Sequence, residues 1–249
     1  MIEILQEQFF LVGMILLAIS FGYSSVGHGG ASAYLAIFVL WNIPADLIRT
    51  TALMMNIGVS AISFALFAKG QYFRWKLFLP FAVTSIPAAF VGGMISVDAE
   101  WYKIILAVFI LLAILPITGT SGKQTTELKP INSTLAHGIG ILIGLSSGLI
   151  GIGGGIILSP VILLLRWGNL KQTAAVSALF ILVNSISGLI GHLIQVGTMA
   201  TAGLDIIPFV LIGSILGSFY GSQRLPTYKL LYVLQFVMVM ACFKLIIFP

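Results

Sequence analysis

The sequence predicts an all-α polytopic membrane protein. It reads as two inverted-topology repeats of about five helical elements each, with Gly-rich interrupted or re-entrant helices. Three observations predict this. Of the 249 residues, 59% are hydrophobic and 8% charged, where a soluble domain carries roughly 25% charged residues. Ten apolar segments follow one another, and most are long enough, or nearly so, for the ~20 residues that cross a bilayer as a helix. The order long-short-long-long-long occurs twice.

The first five segments are 8–26, 31–43, 47–68, 77–97 and 101–118. The second five are 133–150, 155–165, 172–196, 206–223 and 228–248. The chain divides into a first repeat at 1–118, a polar cytoplasmic linker at 119–132 (GTSGKQTTELKPIN) and a second repeat at 133–249. Segments 31–43 and 155–165 reach only about 20 Å and 16 Å at 1.5 Å per residue, against a hydrocarbon core of ~30 Å. They fit the returning arms of hairpins, and crossing parity is unchanged if they span fully. Residue matches support the duplication. Gly27, Gly29 and Gly30 pair with Gly151, Gly153 and Gly154 at an offset of 124. Pro80-Phe81 pairs with Pro208-Phe209, and Gly93 with Gly221, at an offset of 128. The second copy therefore gains four residues in between.

Charge sets orientation and excludes whole classes. The 12 Lys+Arg and 7 Asp+Glu are too few to cover a globular surface of this size. That excludes a soluble enzyme, a disordered regulator and a nucleic-acid binder. The single cysteine, Cys242, excludes an internal disulfide and a multi-thiolate metal site. No metal or cofactor is expected. Acids occupy the first residues, Glu3 and Glu7, where a signal peptide would carry basic ones. If each half crosses an odd number of times, one side holds Lys69, Arg74, Lys76, Lys123, Lys129, Arg166, Lys171, Arg224 and Lys229. The other holds Arg49, Lys103 and Lys244. With four crossings per half the split is six to six. The positive-inside rule selects odd crossings, hence inverted halves with both termini non-cytoplasmic. Inverted repeats are the plan of many secondary transporters, which place a site between halves that rock against each other.

The Gly-rich breaks are the candidate site. The first carries Ser24, Ser25, Gly27, His28, Gly29 and Gly30; the second carries Gly151, Gly153, Gly154 and Gly155. Glycine clusters stop helices, and open backbone at membrane depth is tolerated only when buried in protein or lining a wet cavity. A helix restarting after such a turn offers free N–H donors and a partial positive charge, which suits a small anion. Glycines that merely bring helices close are the simpler alternative. His28 is the one ionisable residue in either break. It is the candidate to orient the anion or carry a coupled proton, since its ordinary pKa is about 6.5. Asn56 and Asn184 lie in the third element of each half and are candidate site walls. His137 and His192 have weaker claims.

Other features read as structure. Gly213, Gly217 and Gly221, with their counterparts Ser85, Ala89 and Gly93, form small-residue helix contacts. Trp41, Trp75, Trp101 and Trp167 fall at segment ends, as interface aromatics do. Gly144-Leu145-Ser146-Ser147-Gly148 fits the hydrolase pattern G-x-S-x-G, but that motif needs a strand-turn-helix setting. No P-loop occurs, so direct ATP drive is unsupported. The chain is not expected to be an enzyme.

The paired segments SSVGHGGASAYLAIF (Ser24 to Phe38) and GLIGIGGGIILSPVILL (Gly148 to Leu164) resemble the TauE/SafE family of sulfite and organosulfonate transporters, also called TSUP. The likeness extends over essentially the whole chain. The first segment departs from the second by carrying His28, and Ala31 in place of Gly155. The resemblance implies export or uptake of a small sulfur-containing anion such as sulfite or an organosulfonate. It also implies a multi-pass location in the cell inner membrane and coupling to an ion gradient. The expected partners are that anionic substrate and the lipid bilayer, with a homo-oligomer left open. The alternative on the same repeats is a passive small-anion channel.

Overall fold

The computed structural model describes residues 9–40, 45–96, 128–197 and 204–226. All regular structure among them is helical. Helices α1 (Phe9–Ser25), α2 (Ala31–Leu40), α3 (Ala45–Lys69) and α4 (Trp75–Met94) come from the first half. Helices α5 (Ser133–Ile150), α6 (Gly155–Leu164), α7 (Leu170–Val196) and α8 (Ile207–Phe219) come from the second. A π-helical turn, Tyr220–Arg224, continues α8. The segments expected at 101–118 and 228–248 lie outside the described residues, as do linker residues 119–127. Four described helices are long and apolar enough to cross a membrane: Ile48–Lys69 within α3, α4, α5 and α7.

Local chemistry sets the ends. The Asn132 side chain accepts the Leu135 N–H at 3.1 Å and starts α5. Asn169 and Gln172 form a reciprocal capping box. That box moves the start of α7 to Leu170, two residues before the expected 172. The α7 helix stops at Gly197, whose φ of +73° is the left-handed cap that glycine allows. Segment 155–165 becomes a helix of ten residues, about 15 Å long, and residues 31–40 of segment 31–43 are helical, with 41–43 outside the described residues.

Small residues bring the long helices together. Gly140, Gly144 and Gly148 of α5 meet Phe81/Thr84, Ser85 and Ala89 of α4. Gly188 and Gly191 of α7 meet Gly93 and Phe90 of the same helix. On the other side Gly213, Gly217 and Gly221 rest on the carbonyls of Leu17, Phe21 and Ser25 of α1. Backbones approach so closely that a side chain at any of these positions would overlap the neighbouring helix.

The registers fix direction. Contacts advance together along α4 and α5, along α4 and α7, and along α1 and α8. They also advance together along α3 and α8, from Gly58–Leu211 to Ser63–Ser218. The α3 and α7 helices run oppositely. Phe67, near the end of α3, packs with Ala174 and Ala175 near the start of α7, while mid-helix Asn56 neighbours the backbone that also meets Ile181 and Ser185. Helices α1, α3 and α8 therefore share one direction, and α4, α5 and α7 the other.

Basic residues gather at one end. The α3–α4 turn, the start of α5, the α6–α7 turn and the close of α8 meet there. The Lys129 N–H donates to the Arg166 carbonyl at 2.8 Å. Lys171 Nζ donates to Tyr72 Oη and to the Ser222 carbonyl, both at 3.2 Å. Trp75 is exposed, but Trp167 is buried against the Phe81 ring at 5.9 Å rather than lying at an interface. Trp41 and Trp101 lie outside the described residues.

Candidate functional site

The Gly-rich breaks are where α1 and α5 stop. Gly27, Gly30, Gly151, Gly153 and Gly154 hold φ between +74° and +86°, a region that L side chains avoid. Gly29 does not, and its constraint is space. Both turns are buried, and they meet. A Cβ on Gly29 would overlap Asn56 Oδ1 and lie 2.9 Å from Asn56 Cγ and 3.2 Å from an Ile181 methyl. A Cβ on Gly153 would lie 2.6 Å from the same methyl, 2.9 Å from Asn56 Nδ2 and 3.0 Å from Ser185 Oγ. One carboxamide at the middle of α3 thus sits between a glycine of the first turn and its duplicate in the second.

Asn56 is fully buried, yet neither Oδ1 nor Nδ2 has a hydrogen-bond partner. Ser185 Oγ, Ser147 Oγ and Asn184 Oδ1 share that condition. A buried polar atom left unpaired costs about 1–3 kcal/mol, and folded proteins keep few of them. Ser185 touches the junction through Gly153, and Ser147 flanks Gly154. Asn184 is the duplicate of Asn56, 128 positions on. Its Nδ2 donates to the Phe180 carbonyl at 2.8 Å, which turns its oxygen away from its own helix. Asn56, Ser185 and Ser147 match a guest that accepts and donates hydrogen bonds at the junction, and no contact brings Asn184 to it.

Helix starts add donors. The first backbone bonds of α2 run from Ala33 and Tyr34 to the Gly30 carbonyl at 3.0 and 3.1 Å. Those of α6 run from Ile157 and Leu158 to the Gly154 carbonyl at 3.2 and 3.1 Å. The amides ahead of them are the unshared N–H groups of a helix N-terminus. His28 is buried. Its Nδ1 lies 3.2 Å from the Val26 carbonyl, and its Nε2 is buried without a hydrogen-bond partner.

Not every expected residue reaches the junction. Ser24 Oγ donates to the Ser20 carbonyl at 2.6 Å and Ser25 Oγ to the Gly22 carbonyl at 2.7 Å, both on their own helix. The two serines lie along the seam with α8, where Gly217 and Gly221 pack on them. Gly27 rests on the Ala174 backbone of α7, and Gly151 on the Arg49 side chain. Gly30 abuts the Tyr34 hydroxyl, Gly154 lies between Ile143 and Phe180, and Gly155 faces Ile181. His192 lies on the α4–α7 seam beside Gly93, and His137 Nδ1 pairs with the Ser133 carbonyl. Ser146 Oγ donates to the Leu142 carbonyl at 2.7 Å from inside α5. The G-x-S-x-G stretch is therefore helical and forms no nucleophile elbow.

Arg49 is the residue that sequence reasoning missed. It is buried, and Nη2 donates to the Gly92 and Gly93 carbonyls at 2.8 Å and to the Gly148 carbonyl, while Nη1 reaches the Ile95 carbonyl at 3.1 Å. In the sequence it counts only among the charges that set orientation. The signal was available, because Arg49 and Asn56 are two helical turns apart on one face.

The model of the family described as "Sulfite exporter TauE/SafE" matches residues 11–245. The chain belongs to the TauE/SafE family. A "probable membrane transporter protein" of Sinorhizobium fredii is 31% identical over 238 residues, covering 92% of this chain and 94% of its own. A second, of Methanocaldococcus jannaschii, is 28% identical over 163 residues, covering 63% of this chain and 60% of its own. No solved structure matches. The TauE/SafE assignment, with the apolar helices above, makes the chain a multi-pass membrane protein and a membrane transporter.

Proposed function

We propose that this TauE/SafE protein is a secondary transporter of a small sulfur-containing anion, sulfite or an organosulfonate, in the cell inner membrane. The two halves, 1–118 and 133–249, work as inverted repeats joined by the 119–132 linker and alternate access to a site between them. One observation carries the reading: Asn56 is buried without a hydrogen-bond partner between Gly29 and Gly153, duplicated glycines of two interrupted helices. Inversion is supported by direction, since α1, α3 and α8 run against α5, α7 and α4, their duplicates. The gathering of Lys69, Arg74, Lys76, Lys129, Arg166, Lys171 and Arg224 at one end supports that end as cytoplasmic.

The chemistry follows from the parts. A sulfite or sulfonate group brings several acceptor oxygens and negative charge. The amides opening α2 and α6, Asn56 Nδ2 and the hydroxyls of Ser147 and Ser185 supply donors. His28, whose buried Nε2 has no partner, orients the anion or carries the coupled proton. The test is counterflow in liposomes of the purified protein, with radiolabelled sulfite and a taurine-like sulfonate in parallel. The expected result is saturable uptake of label driven by unlabelled substrate inside, lost in Asn56→Ala. Flux that neither saturates nor shows counterflow would identify a passive anion channel instead.

A further inference from the structure

We infer that Arg49 and Lys171 are paired latches, one at each end of the bundle, that close the central junction by bonding across the two halves. The inference rests on the alternating-access reading above and adds the groups that would gate it. The two cations are placed alike. Each lies in the opening turns of the third helix of its half, α3 or α7. Each donates to carbonyls at the close of the fourth helix of that half. Arg49 bonds the Gly92, Gly93 and Ile95 carbonyls at the end of α4. Lys171 bonds the Ser222 carbonyl at 3.2 Å in the π turn that ends α8. Gly93 and Gly221 are duplicates, so Ser222 lies one residue past the counterpart of the Gly93 acceptor, in the same closing turn.

Each cation also reaches across. Arg49 Nη2 donates to the Gly148 carbonyl of α5, less than one helical turn before the second Gly-rich break. Lys171 Nζ donates to Tyr72 Oη at 3.2 Å and stands 4.8 Å from the centre of that ring. Arg49 and Tyr72 belong to opposite ends of the α3–α4 hairpin, separated by about 30 Å along α3. The Arg49 bond therefore ties the halves on one side of the junction, and the Lys171 bond ties them on the other. Rocking one half against the other opens one end at a time, so it must break one tie and keep its counterpart.

Physical chemistry makes these ties strong but exchangeable. A cation at a helix C-terminus is favoured by the exposed carbonyls and the dipole. Charged donors also strengthen their hydrogen bonds. An arriving anion competes with the carbonyls for the same donors. The guest's charge can thus help undo the latch that stands in its way. Both ties are formed in this structure, which corresponds to a junction closed toward both ends.

The test uses sided labelling. A reporter cysteine, Ser185→Cys, is placed at the junction in a Cys242→Ala background, and the full chain is reconstituted in liposomes. A membrane-impermeant maleimide is applied from either side. In Lys171→Met, labelling from the Lys171 end rises roughly tenfold and labelling from the Arg49 end falls, the factor expected for losing one charge-assisted bond. Arg49→Gln shows the mirror result, and Lys171→Arg keeps the original sidedness. If Arg49→Gln does not fold, Lys171→Met alone decides. Unchanged labelling, or an equal rise from both ends, overturns the latch. Counterflow by the same Lys171→Met and Arg49→Gln proteins with Ser185 left intact separates the two readings. One-sided labelling without carriage of any sulfur anion leaves the latches standing and removes the substrate, whereas intact counterflow with symmetrical labelling removes only the latches.

Discussion

The contact between Gly29 and Asn56 supports a two-residue test of where the junction is. Gly29 lies outside the left-handed region, so alanine suits its backbone and the cost of Gly29→Ala is steric alone. Its Cβ would overlap Asn56 Oδ1 and press to 2.9 Å on Asn56 Cγ and 3.2 Å on the Ile181 methyl. Such overpacking costs about 1–3 kcal/mol. For a chain of this size, at roughly 2–4 °C per kcal/mol, the midpoint of thermal unfolding in detergent falls by about 2–12 °C. Asn56→Ala removes the colliding oxygen together with two buried atoms that lack partners. Its lost packing is offset by that relief, and its midpoint stays within about 3 °C of wild type. The double variant then sits close to Asn56→Ala, with a coupling of about 1–3 kcal/mol between the two sites. Counterflow is lost in all three, because restoring the space does not restore the carboxamide. Additive midpoints would show that the residues do not touch. Transport recovered by the double variant would show that Asn56 does not meet the substrate.

Three further outcomes are expected. Gly153→Ala and Gly197→Ala impose the same left-handed backbone, φ +74° and +73°, but nothing lies within 4 Å of a Cβ at Gly197. Gly197→Ala should lose about 1–2 kcal/mol of stability and keep transport, whereas Gly153→Ala loses more and abolishes transport; equal effects on transport would remove Gly153 from the site. His28→Gln should remove or shift the pH dependence of liposome transport, and a profile matching wild type at every pH would take His28 out of the coupling. Ser146→Ala changes only a bond to its own helix, so the unfolding midpoint moves by no more than about 4 °C and counterflow continues; loss of transport with the fold intact would contradict that assignment.

Much of this architecture was legible because membrane helices report themselves through length and composition. Segment 133–150 coincides with α5 at both bounds, 155–165 marks α6 to within one residue, and 31–43 starts where α2 does. Duplicated glycines located the turns because positive φ, at Gly27 and Gly151 among them, leaves few alternatives to glycine. Side-chain direction was less legible. Ser24 and Ser25 adjoin the turn in sequence, but their hydroxyls fold back onto α1 carbonyls, a bond that serine makes readily inside helices. Arg49 was misplaced for the opposite reason. A lone arginine near a helix start resembles an interfacial charge, and only the tertiary packing of α4 and α5 brings four carbonyls around it. Trp167 likewise follows its neighbour Phe81 into the core instead of the interface.

The position of Arg49 bears on how an anion can be both selected and released. It lies seven residues before Asn56, roughly 10 Å along α3. At an effective dielectric of about 20, a unit charge at that distance attracts an anion by about 1.7 kcal/mol, against about 4 kcal/mol at direct contact. The smaller figure corresponds to a preference for anions of roughly twentyfold. That is enough to disfavour neutral molecules of the same shape without trapping the guest. Direct binding then falls to amides, a carboxamide and hydroxyls, whose individual bonds are worth about 1 kcal/mol each and can be exchanged one at a time for water as an end opens. A guanidinium inside the junction would hold the anion through the opening step. Displaced to the edge and occupied by carbonyls, the same group attracts the guest and leaves its departure to the motion of the halves.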